Sequence, residues 1–351
     1  WFNGLGEFFY RNGIKTDIDS FVRITAPEPK NIPQCEDYVS SGIEIVPVGG
    51  GKDSAVTTEL LRPFGDKLRF FTVNDQPART QCVLAGGYSE DKIIKIYRTI
   101  DPELLKRNAE GFLNGHTPFS SVVAFISMYA GFIEGANDVI LSNESSANES
   151  NIGGESVNHQ YSKSFEFERD FDEFRRRNFP QSAVYFSLLR PFCELQIAKQ
   201  FSQYKQYHSI FRSCNRGSKK NIWCCECPKC LFVAIMLSPF LSPDELNSIF
   251  GCDMLAKTEL ETDFDGLCGF TGLKPFECVG TADEVVLALT LTAEKYRKSG
   301  LEMPALLRRF CEKNTARADH SLLSGFNEEN LIPKKFDECV KRMFEYVSAA
   351  D

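Results

Sequence analysis

The sequence predicts an α/β protein with a parallel β-sheet, a cluster of cysteines and a mainly helical C-terminal region. Three observations support this fold class. Short apolar runs alternate with helical patterns between residues 43 and 201, as in parallel βαβ units. Five of the 13 cysteines lie within residues 214 to 230. Beyond residue 241 the patterns are mainly helical, near 282–299, 303–312 and 334–348.

Composition restricts the class of protein. With 351 residues, the chain has the length of one large or two ordinary domains. Its 42% hydrophobic and 25% charged residues are typical of a soluble globular protein. The net charge of −8 argues against nucleic acid as the main partner. The alternative that composition leaves is a local basic patch near 205–220. The most apolar stretch, 119–133, is too short to span a bilayer and predicts a buried helix, so no membrane partner is expected.

We predict three regions along the chain. Residues 1–40 form an N-terminal extension packed on the main domain, with a possible strand from Phe21 to Ile24. Residues 41–240 form the main α/β domain, including the cysteine cluster. Residues 241–351 form the C-terminal helical region.

The strongest motif lies between residues 43 and 61, where a β-rich apolar run meets a glycine turn and then a helical pattern. Glycine lets backbone N–H groups approach an anion, and a helix start adds unpaired donors, so the turn predicts a phosphate site. The Walker A pattern does not fit, because Val46 stands where its first glycine belongs. A glycine turn without a ligand is the alternative. The motif residues are Gly49, Gly50, Gly51, Lys52, Asp53 and Ser54.

Polar residues follow three predicted strands, at 68–73, 138–141 and 184–189. Ligands of parallel sheets bind at the carboxyl ends of strands, so we expect these residues near the nucleotide. Each also has a structural alternative: a helix cap, a surface loop or a surface salt bridge. The candidates are Asn74, Asp75, Asn143, Glu144 and Arg190.

The cysteine cluster predicts a metal site. Cys214, Cys224, Cys227 and Cys230 offer four thiolates at spacings that suit a structural, tetrahedral zinc ion. An iron–sulfur cluster is the main competitor, and cysteines serving as small core residues are a third interpretation. Cys225 cannot readily share a metal with its neighbour. The clustering favours metal in a reducing compartment over disulfides.

The glycine motif resembles the Ser-Gly-Gly-x-Asp-Ser loop of the PP-loop ATP pyrophosphatases, an adenine nucleotide alpha hydrolase-like fold, with Gly49 in place of the first serine. Those enzymes cut ATP between its α and β phosphates. A wider set of motifs resembles the UDP-N-acetyl-alpha-D-muramoyl-L-alanyl-L-glutamate epimerase family, with Cys225 where a glycine is expected. These motifs lie at 48–54, 114–116, 142–144, 158–164, 186–191, 214–216, 227–230 and 274–280.

The resemblance implies a bacterial, cytoplasmic enzyme that uses ATP and Mg²⁺ to invert the terminal L-glutamate of a UDP-linked muramoyl dipeptide to D-glutamate. Forming an acyl-adenylate would make the α-proton easier to remove, and a base and an acid on opposite faces would invert the centre. A nearby cation such as Lys274 would favour a thiolate base. A buried apolar cysteine and a structural histidine are the alternatives for Cys278 and His159. The candidate acids and bases are Cys278, His159, Lys163 and Glu277.

Two other functions stay open. The glycine loop with a downstream cysteine set also resembles 7-cyano-7-deazaguanine synthases and thiolation enzymes, which adenylate a nucleobase or its precursor. Neither a more basic composition nor the synthase's own substrate motifs are seen. A regulatory module would bind the nucleotide without turning it over.

Overall fold

The computed structural model describes residues 1–28, 38–152 and 157–349. Parts of the predicted N-terminal extension and of the C-terminal region, at 29–37 and 350–351, lie outside these ranges. A five-stranded sheet forms the centre, in the order β3-β2-β1-β4-β5, and every strand pairing is parallel, as predicted. The strands are β1 (Ile43–Pro47), β2 (Leu68–Val73), β3 (Ile93–Ile96), β4 (Ala136–Leu141) and β5 (Val184–Ser187).

Helices connect and flank the strands. The described part of the chain contains no helix that is both long enough and apolar enough to cross a membrane. The helices are α1 (Gly6–Arg11), α2 (Lys52–Leu60), α3 (Pro77–Ala85), α4 (Pro102–Ala109), α5 (Phe119–Glu134), α6 (Phe165–Asn178), α7 (Glu194–Ser202), α8 (Lys205–His208), α9 (Pro228–Leu237), α10 (Pro243–Phe250), α11 (Glu261–Leu267), α12 (Ala282–Ser299), α13 (Ala305–Lys313), α14 (Ser321–Ser324) and α15 (Asp337–Ser348).

The two faces of the sheet bury different sets of apolar side chains. Alternate residues of a strand point to opposite faces, so Val46 and Phe70 join the larger core while Ile45 and Phe71 join the smaller one. The larger core continues into α7, α9, α12 and α15. The helical C-terminal region therefore packs on the same core as the sheet, and the predicted boundary near residue 240 stays a prediction.

Two sequence-based expectations about local structure are wrong. The helix at 119–133 forms, but only its small residues are buried, whereas Tyr129 is 66% exposed. Gly131 lets this face of α5 approach Val139 of β4 closely, which turns the large side chains outward. Residues 21–24 form no strand. Instead, the Phe21 ring packs edge-on against the Phe2 ring, with centroids 5.4 Å apart.

The strand order places the candidate site. The chain runs from β1 to β2 and β3 on one side, and then crosses to β4 and β5 on the other. The crevice at a parallel sheet's ligand-binding edge opens where the strand order reverses, between β1 and β4. The glycine turn follows β1 and Ser142–Glu144 follow β4, so both leave the sheet at this crevice.

Candidate functional site

The glycine turn joins the end of β1 to the start of α2. Gly50 has a φ of +81°, and a Cβ at this position would lie 2.9 Å from the carbonyl carbon of Ala78. Conformation and space therefore both require glycine. The Gly49 N–H donates to the Ser54 hydroxyl at 2.9 Å, and Gly51 is the N-cap of α2 without a side-chain cap. The turn thus leaves the first N–H groups of α2 without a capping side chain, which suits an anionic phosphate.

Lys52 and Asp53 add charge to this turn. The Lys52 side chain is only 2% exposed, and its ammonium contacts the carboxylates of Asp53 and Glu194. Burial alone would lower the pKa of Lys52, but the two carboxylates raise it overall. Lys52 is therefore a buried cation at neutral pH, held between two acids.

A third carboxylate, Glu144, lies at the same crevice. It is buried, and burial together with the Glu194 charge raises its pKa to about 7, although Lys163 and Lys52 act in the opposite direction. Its neighbour Asn143 donates to the Ser187 hydroxyl at 3.1 Å, which ties the loop after β4 to β5. The crevice thus collects acids and lysines that are far apart in sequence.

Cys278 and His159 form a second group of reactive side chains. Burial would raise the pKa of the Cys278 thiol, but Lys163 and a hydrogen bond with His159 lower it to about 6. Burial would lower the pKa of His159, but hydrogen bonds with Cys278 and Glu7 raise it to about 9. Near neutral pH the pair is therefore a thiolate beside an imidazolium, and a thiolate is a competent base or nucleophile.

His116 completes this group. Its ring lies against the His159 ring, with centroids 4.0 Å apart and planes at 37°. Burial and the neighbouring His159 cation lower its pKa to about 4, so it is neutral at physiological pH. Glu7, His116 and His159 bring their ligand atoms within 4.8 Å of one another. The contact between Glu7 and His159 and the close packing of the two tilted rings bring these atoms together.

Lys163 connects the two groups. Burial would lower the pKa of its ammonium, but the charges of Cys278, Glu144 and Asp53 raise it. The same lysine therefore acts electrostatically on the glycine turn and on the thiol. Two sets of residues that the sequence predicts separately meet at one crevice.

A further lysine approaches Cys278 from the cysteine cluster. The Lys229 ammonium contacts the Cys278 carbonyl oxygen, and its charge also lowers the pKa of the Cys278 thiol. Lys274, the cation expected from the sequence, instead pairs with the Glu149 carboxylate at 2.5 Å. Neighbouring cations lower the pKa of the Cys278 thiol, as expected, but they are Lys163 and Lys229 rather than Lys274.

Glu277 neighbours this thiol in sequence. Its carboxylate accepts a hydrogen bond from the Asn215 amide, and burial raises its pKa although this hydrogen bond lowers it. A raised pKa suits a carboxyl group that donates a proton. Its role as an acid or base stays a prediction.

Asn74 and Asp75 stand at the end of β2, as expected, but their side chains are engaged within the protein. Asn74 donates to the Arg98 carbonyl at 2.8 Å and accepts from the Arg98 N–H at 2.6 Å. Asp75 accepts from the Thr80 hydroxyl at 2.7 Å and pairs with Lys95 at 3.1 Å. These contacts fix the ends of β2 and β3, and contact with a nucleotide stays a prediction for both residues.

Arg190 lies beneath the crevice. It is fully buried, and it donates to the carbonyl oxygens of Glu144 at 2.6 Å and Lys163 at 2.7 Å. It also pairs with the buried Glu168 carboxylate at 2.7 Å. These contacts position the backbone of two site residues, and they do not support a direct contact with triphosphate, which stays a prediction.

Arg190→Met is expected to reduce the free energy of unfolding by about 3–5 kcal/mol, because it leaves the Glu168 carboxylate buried and unpaired. Urea unfolding measures this loss. The control is Arg169→Met, which breaks a pair between side chains that are 58% and 51% exposed and is expected to change little. A loss below about 1 kcal/mol for Arg190→Met would contradict the assigned role.

The cysteine cluster converges as expected. Cys214 and Cys227 Sγ lie 4.0 Å apart, Cys224 and Cys230 Sγ 3.8 Å, and Cys227 and Cys230 Sγ 3.5 Å. A tetrahedron with metal–sulfur bonds of about 2.3 Å has edges of about 3.8 Å. Gly217 donates its N–H to Cys214 Sγ at 3.1 Å. The four thiols can hold one metal ion.

Cys225 is separate from this cluster. Its thiol donates to the Phe250 carbonyl oxygen at 3.2 Å, and its φ is +57°. Glycine adopts that backbone conformation without strain, which explains why glycine is expected here. The structure thus agrees with a metal site of four cysteine ligands that does not include Cys225.

Sequence reasoning missed Glu7, His116, Glu194 and Lys229 as site residues. Lys229 stands between two predicted metal ligands, and His116 is one of only four histidines in the chain, so both carried a usable signal. Glu194 begins a helix without any distinguishing pattern. Glu7 approaches His159 across 152 positions of sequence, and no local pattern indicates that contact.

Comparisons with known proteins identify relatives that match most of the chain. A family model described as "MurL N-terminal domain" matches residues 1–188, and one described as "MurL C-terminal domain" matches residues 210–322. Three relatives bear the name UDP-N-acetyl-alpha-D-muramoyl-L-alanyl-L-glutamate epimerase. That of Xanthomonas oryzae pv. oryzae is 35% identical over 357 residues, covering 98% of this chain and 77% of the relative.

The other two relatives give similar values. The protein of Micromonospora sp. is 36% identical over 299 residues, covering 83% of this chain and 66% of the relative. That of Salinispora tropica is 35% identical over 298 residues, covering 83% of this chain and 64% of the relative. The chain thus spans about two thirds to three quarters of the lengths of these relatives.

Proposed function

The chain belongs to the UDP-N-acetyl-alpha-D-muramoyl-L-alanyl-L-glutamate epimerase family, and we propose that it inverts the terminal L-glutamate of that UDP-linked dipeptide in an ATP-dependent reaction. The names of its relatives support the epimerisation and the substrate. One observation carries the mechanism: the charges of Cys278 and of Asp53 in the glycine turn both act on the buried Lys163 ammonium and raise its pKa. An activating site and a proton-transfer site are therefore adjacent.

The activation step uses the glycine turn, in the manner of a PP-loop ATP pyrophosphatase. A substrate carboxylate oxygen attacks the α-phosphorus of ATP, the bond between that phosphorus and the bridging oxygen breaks, and pyrophosphate leaves. The N–H groups at the start of α2 and the ammonium of Lys52 would stabilise the pyrophosphate charge. The resulting acyl-adenylate has a more acidic α-proton than the free carboxylate.

Proton transfer then occurs beside Cys278. Its thiolate accepts the α-proton and becomes a thiol, and a second group returns a proton on the opposite face of the carbon. His159, Lys163 and Glu277 are the candidates for that group, and Lys163 also stabilises the developing negative charge. Water then cleaves the mixed anhydride and releases AMP and the D-glutamate product.

Two metal ions belong to this proposal. Mg²⁺ prefers oxygen ligands, and the crevice offers the carboxylates of Asp53 and Glu194, which both contact Lys52, and of Glu144, whose pKa the Glu194 charge raises. When bound, it would neutralise phosphate charge and orient the displacement. Zn²⁺ fits the four thiols of the cysteine cluster, with a structural role.

A cytoplasmic location follows from the same proposal. No disulfide joins any of the twelve cysteines in the part of the chain that the structure describes, and four of them converge as candidate metal ligands. Reduced thiols, ATP and a UDP-linked substrate are all expected in the cytoplasm. Intact-mass measurement without reductant is expected to find no disulfide, and several disulfides would contradict the location.

The test of the function is a product analysis with purified protein, ATP, Mg²⁺ and the UDP-linked L-alanyl-L-glutamate substrate. We expect AMP, pyrophosphate and D-glutamate in the product, and no AMP when the substrate is left out. Formation of ADP, or AMP release with a nucleobase precursor instead, would contradict the proposal. Nucleotide binding without turnover would indicate a regulatory module.

Asp53→Ala is expected to abolish AMP formation, because it removes the carboxylate that pairs with Lys52 and that we propose as a Mg²⁺ ligand. The fold should persist, since the Asp53 side chain is 31% exposed. Chromatographic measurement of AMP and circular dichroism test the two parts. Asp91→Ala, an exposed carboxylate outside the crevice, is the control. Unchanged turnover of the Asp53 variant would contradict the site assignment.

A further inference from the structure

The first helix, α1, packs over two segments of the crevice. The Asn12 amide donates to the Asn114 carbonyl at 3.1 Å. A Cβ on Gly115 would lie 2.9 Å from the Phe8 ring, so this glycine permits the close approach. The Tyr10 and Phe276 rings lie 5.8 Å apart. The helix therefore contacts the segments that carry His116 and Cys278.

Glu7 is the buried acid of this helix. It is only 4% exposed, although α1 lies near the start of the chain. One carboxylate oxygen contacts Nδ1 of His159, and the other contacts the Arg11 guanidinium. Such burial is costly for a carboxylate unless cations compensate it, and His159 and Arg11 do so. Hydrogen bonds from these two residues lower the pKa of Glu7, although burial opposes them.

We propose that Glu7 is a positioning residue, which fixes the tautomer and orientation of His159 against the Cys278 thiol. Because Nδ1 of His159 donates to Glu7, Nε2 is the ring nitrogen left for Cys278. The negative charge of Glu7 also favours the imidazolium form. This inference rests on the proposed function, because Cys278 is its proton-transfer thiol.

The direction in which the Cys278 pKa should change without the charge of Glu7 follows from all charged groups that face Cys278 and His159. The cations favour the Cys278 thiolate, whereas the acid Glu277 opposes it. Removing the charge of Glu7 lowers the pKa of His159, and a less protonated His159 stabilises the thiolate less. The pKa of Cys278 should therefore rise. The groups facing the pair are Glu7, Arg11, His116, Lys163, Lys229 and Glu277.

The experiment measures the thiol directly. The full chain is treated with iodoacetamide between pH 4 and 10, and mass spectrometry follows the peptide that carries Cys278. For the unmodified protein we expect a midpoint near pH 6. For Glu7→Gln the midpoint should move upward by about one unit or more, toward the ordinary value of about 8.5. The acid limb of the epimerisation rate should move with it.

The matched control is Glu166→Gln. Glu166 accepts a hydrogen bond from Asn3 at 3.0 Å, so this variant also removes a carboxylate that contacts the N-terminal segment. Glu166 lies away from the residues that contact His159. The variant should therefore leave the midpoint of Cys278 alkylation and the epimerisation rate unchanged. An unchanged midpoint in folded Glu7→Gln would overturn the proposal. This result is distinct from failure of the proposed function, because alkylation requires neither ATP nor substrate.

A second variant decides the question if Glu7→Gln does not fold. Glu7→Asp keeps the charge but withdraws the carboxylate from His159. Its kcat for epimerisation should fall tenfold or more while the KM for ATP stays within twofold, and wild-type kcat would overturn the proposal. Elemental analysis gives an independent check. Two zinc ions per chain, with one lost in Glu7→Gln, would show a metal site at Glu7, His116 and His159 and would also overturn it.

Discussion

Cys278→Ala is expected to slow epimerisation by a factor of about 10²–10⁴, the usual contribution of a positioned acid or base. AMP formation should continue, because Cys278 acts after the activation step in the proposed reaction. The reaction is run in deuterated water, where proton exchange at the α-carbon and inversion are measured separately. A variant that lacks one of two proton-transfer groups should lose inversion or exchange deuterium on one face only.

Two further variants sharpen this test. His159→Ala should behave like Cys278→Ala, because the thiol loses the hydrogen bond that favours its thiolate. Cys311→Ala removes an exposed thiol on α13 and should retain wild-type activity. Full epimerisation by both the Cys278 and the His159 variants would exclude this pair from the proton transfer.

The same pair predicts the pH profile of the wild-type enzyme. If His159 is the group that returns the proton, activity requires deprotonated Cys278, with a pKa of about 6, and protonated His159, with a pKa of about 9. The kcat/KM should therefore fall below pH 6 and above pH 9, with its maximum between these values. In Cys278→Ala the acid limb near pH 6 should disappear from the residual rate.

Cys227→Ser is expected to abolish metal binding and to prevent stable folding. Metal binding at a structural site contributes directly to folding, with apparent values of about 10–16 kcal/mol in zinc-finger peptides. The whole stability of a domain is only about 5–15 kcal/mol. Cys227 is fully buried at the start of α9, so a water molecule cannot take its place as a metal ligand. Elemental analysis and thermal unfolding measure the two effects.

Cys225→Ser is the matched control for this prediction. Cys225 lies next to a ligand but donates its thiol to Phe250, so the variant should keep one zinc per chain. Iron in place of zinc, with the visible absorption of an iron–sulfur cluster, would contradict the zinc assignment. So would a wild-type protein without metal.

The sheet and the glycine turn could be predicted because their signals are local. Residues 43–61 contain an apolar run, glycines and a helix start, and each of these acts on the conformation of its neighbours in sequence. The alternation of strand and helix patterns along the chain then implies parallel strands. The cysteine cluster is nearly as local. Its spacing brings Cys224, Cys227 and Cys230 together on one turn and the first turn of α9. Only Cys214 lies outside this stretch, earlier in the sequence.

The proton-transfer group could be predicted only in part. The motif resemblance predicts roles for Cys278 and His159, but the approach of the two residues depends on the packing of distant segments. Arg190 shows a second limit. Its position after β5 is as predicted, but side-chain direction depends on buried partners, and Glu168 draws the guanidinium inward. For the same reason the sequence did not reveal that Glu7 reaches the site.

The contact between α1 and the Cys278 segment has a consequence during synthesis. Ribosomes add about 5–20 residues per second, so tens of seconds separate the emergence of Glu7 from that of Cys278. For most of this interval the nascent chain carries its glycine turn but lacks the thiol. The helix α1 is therefore made long before the segment against which it packs, and the larger core, which extends to α15, is completed later still.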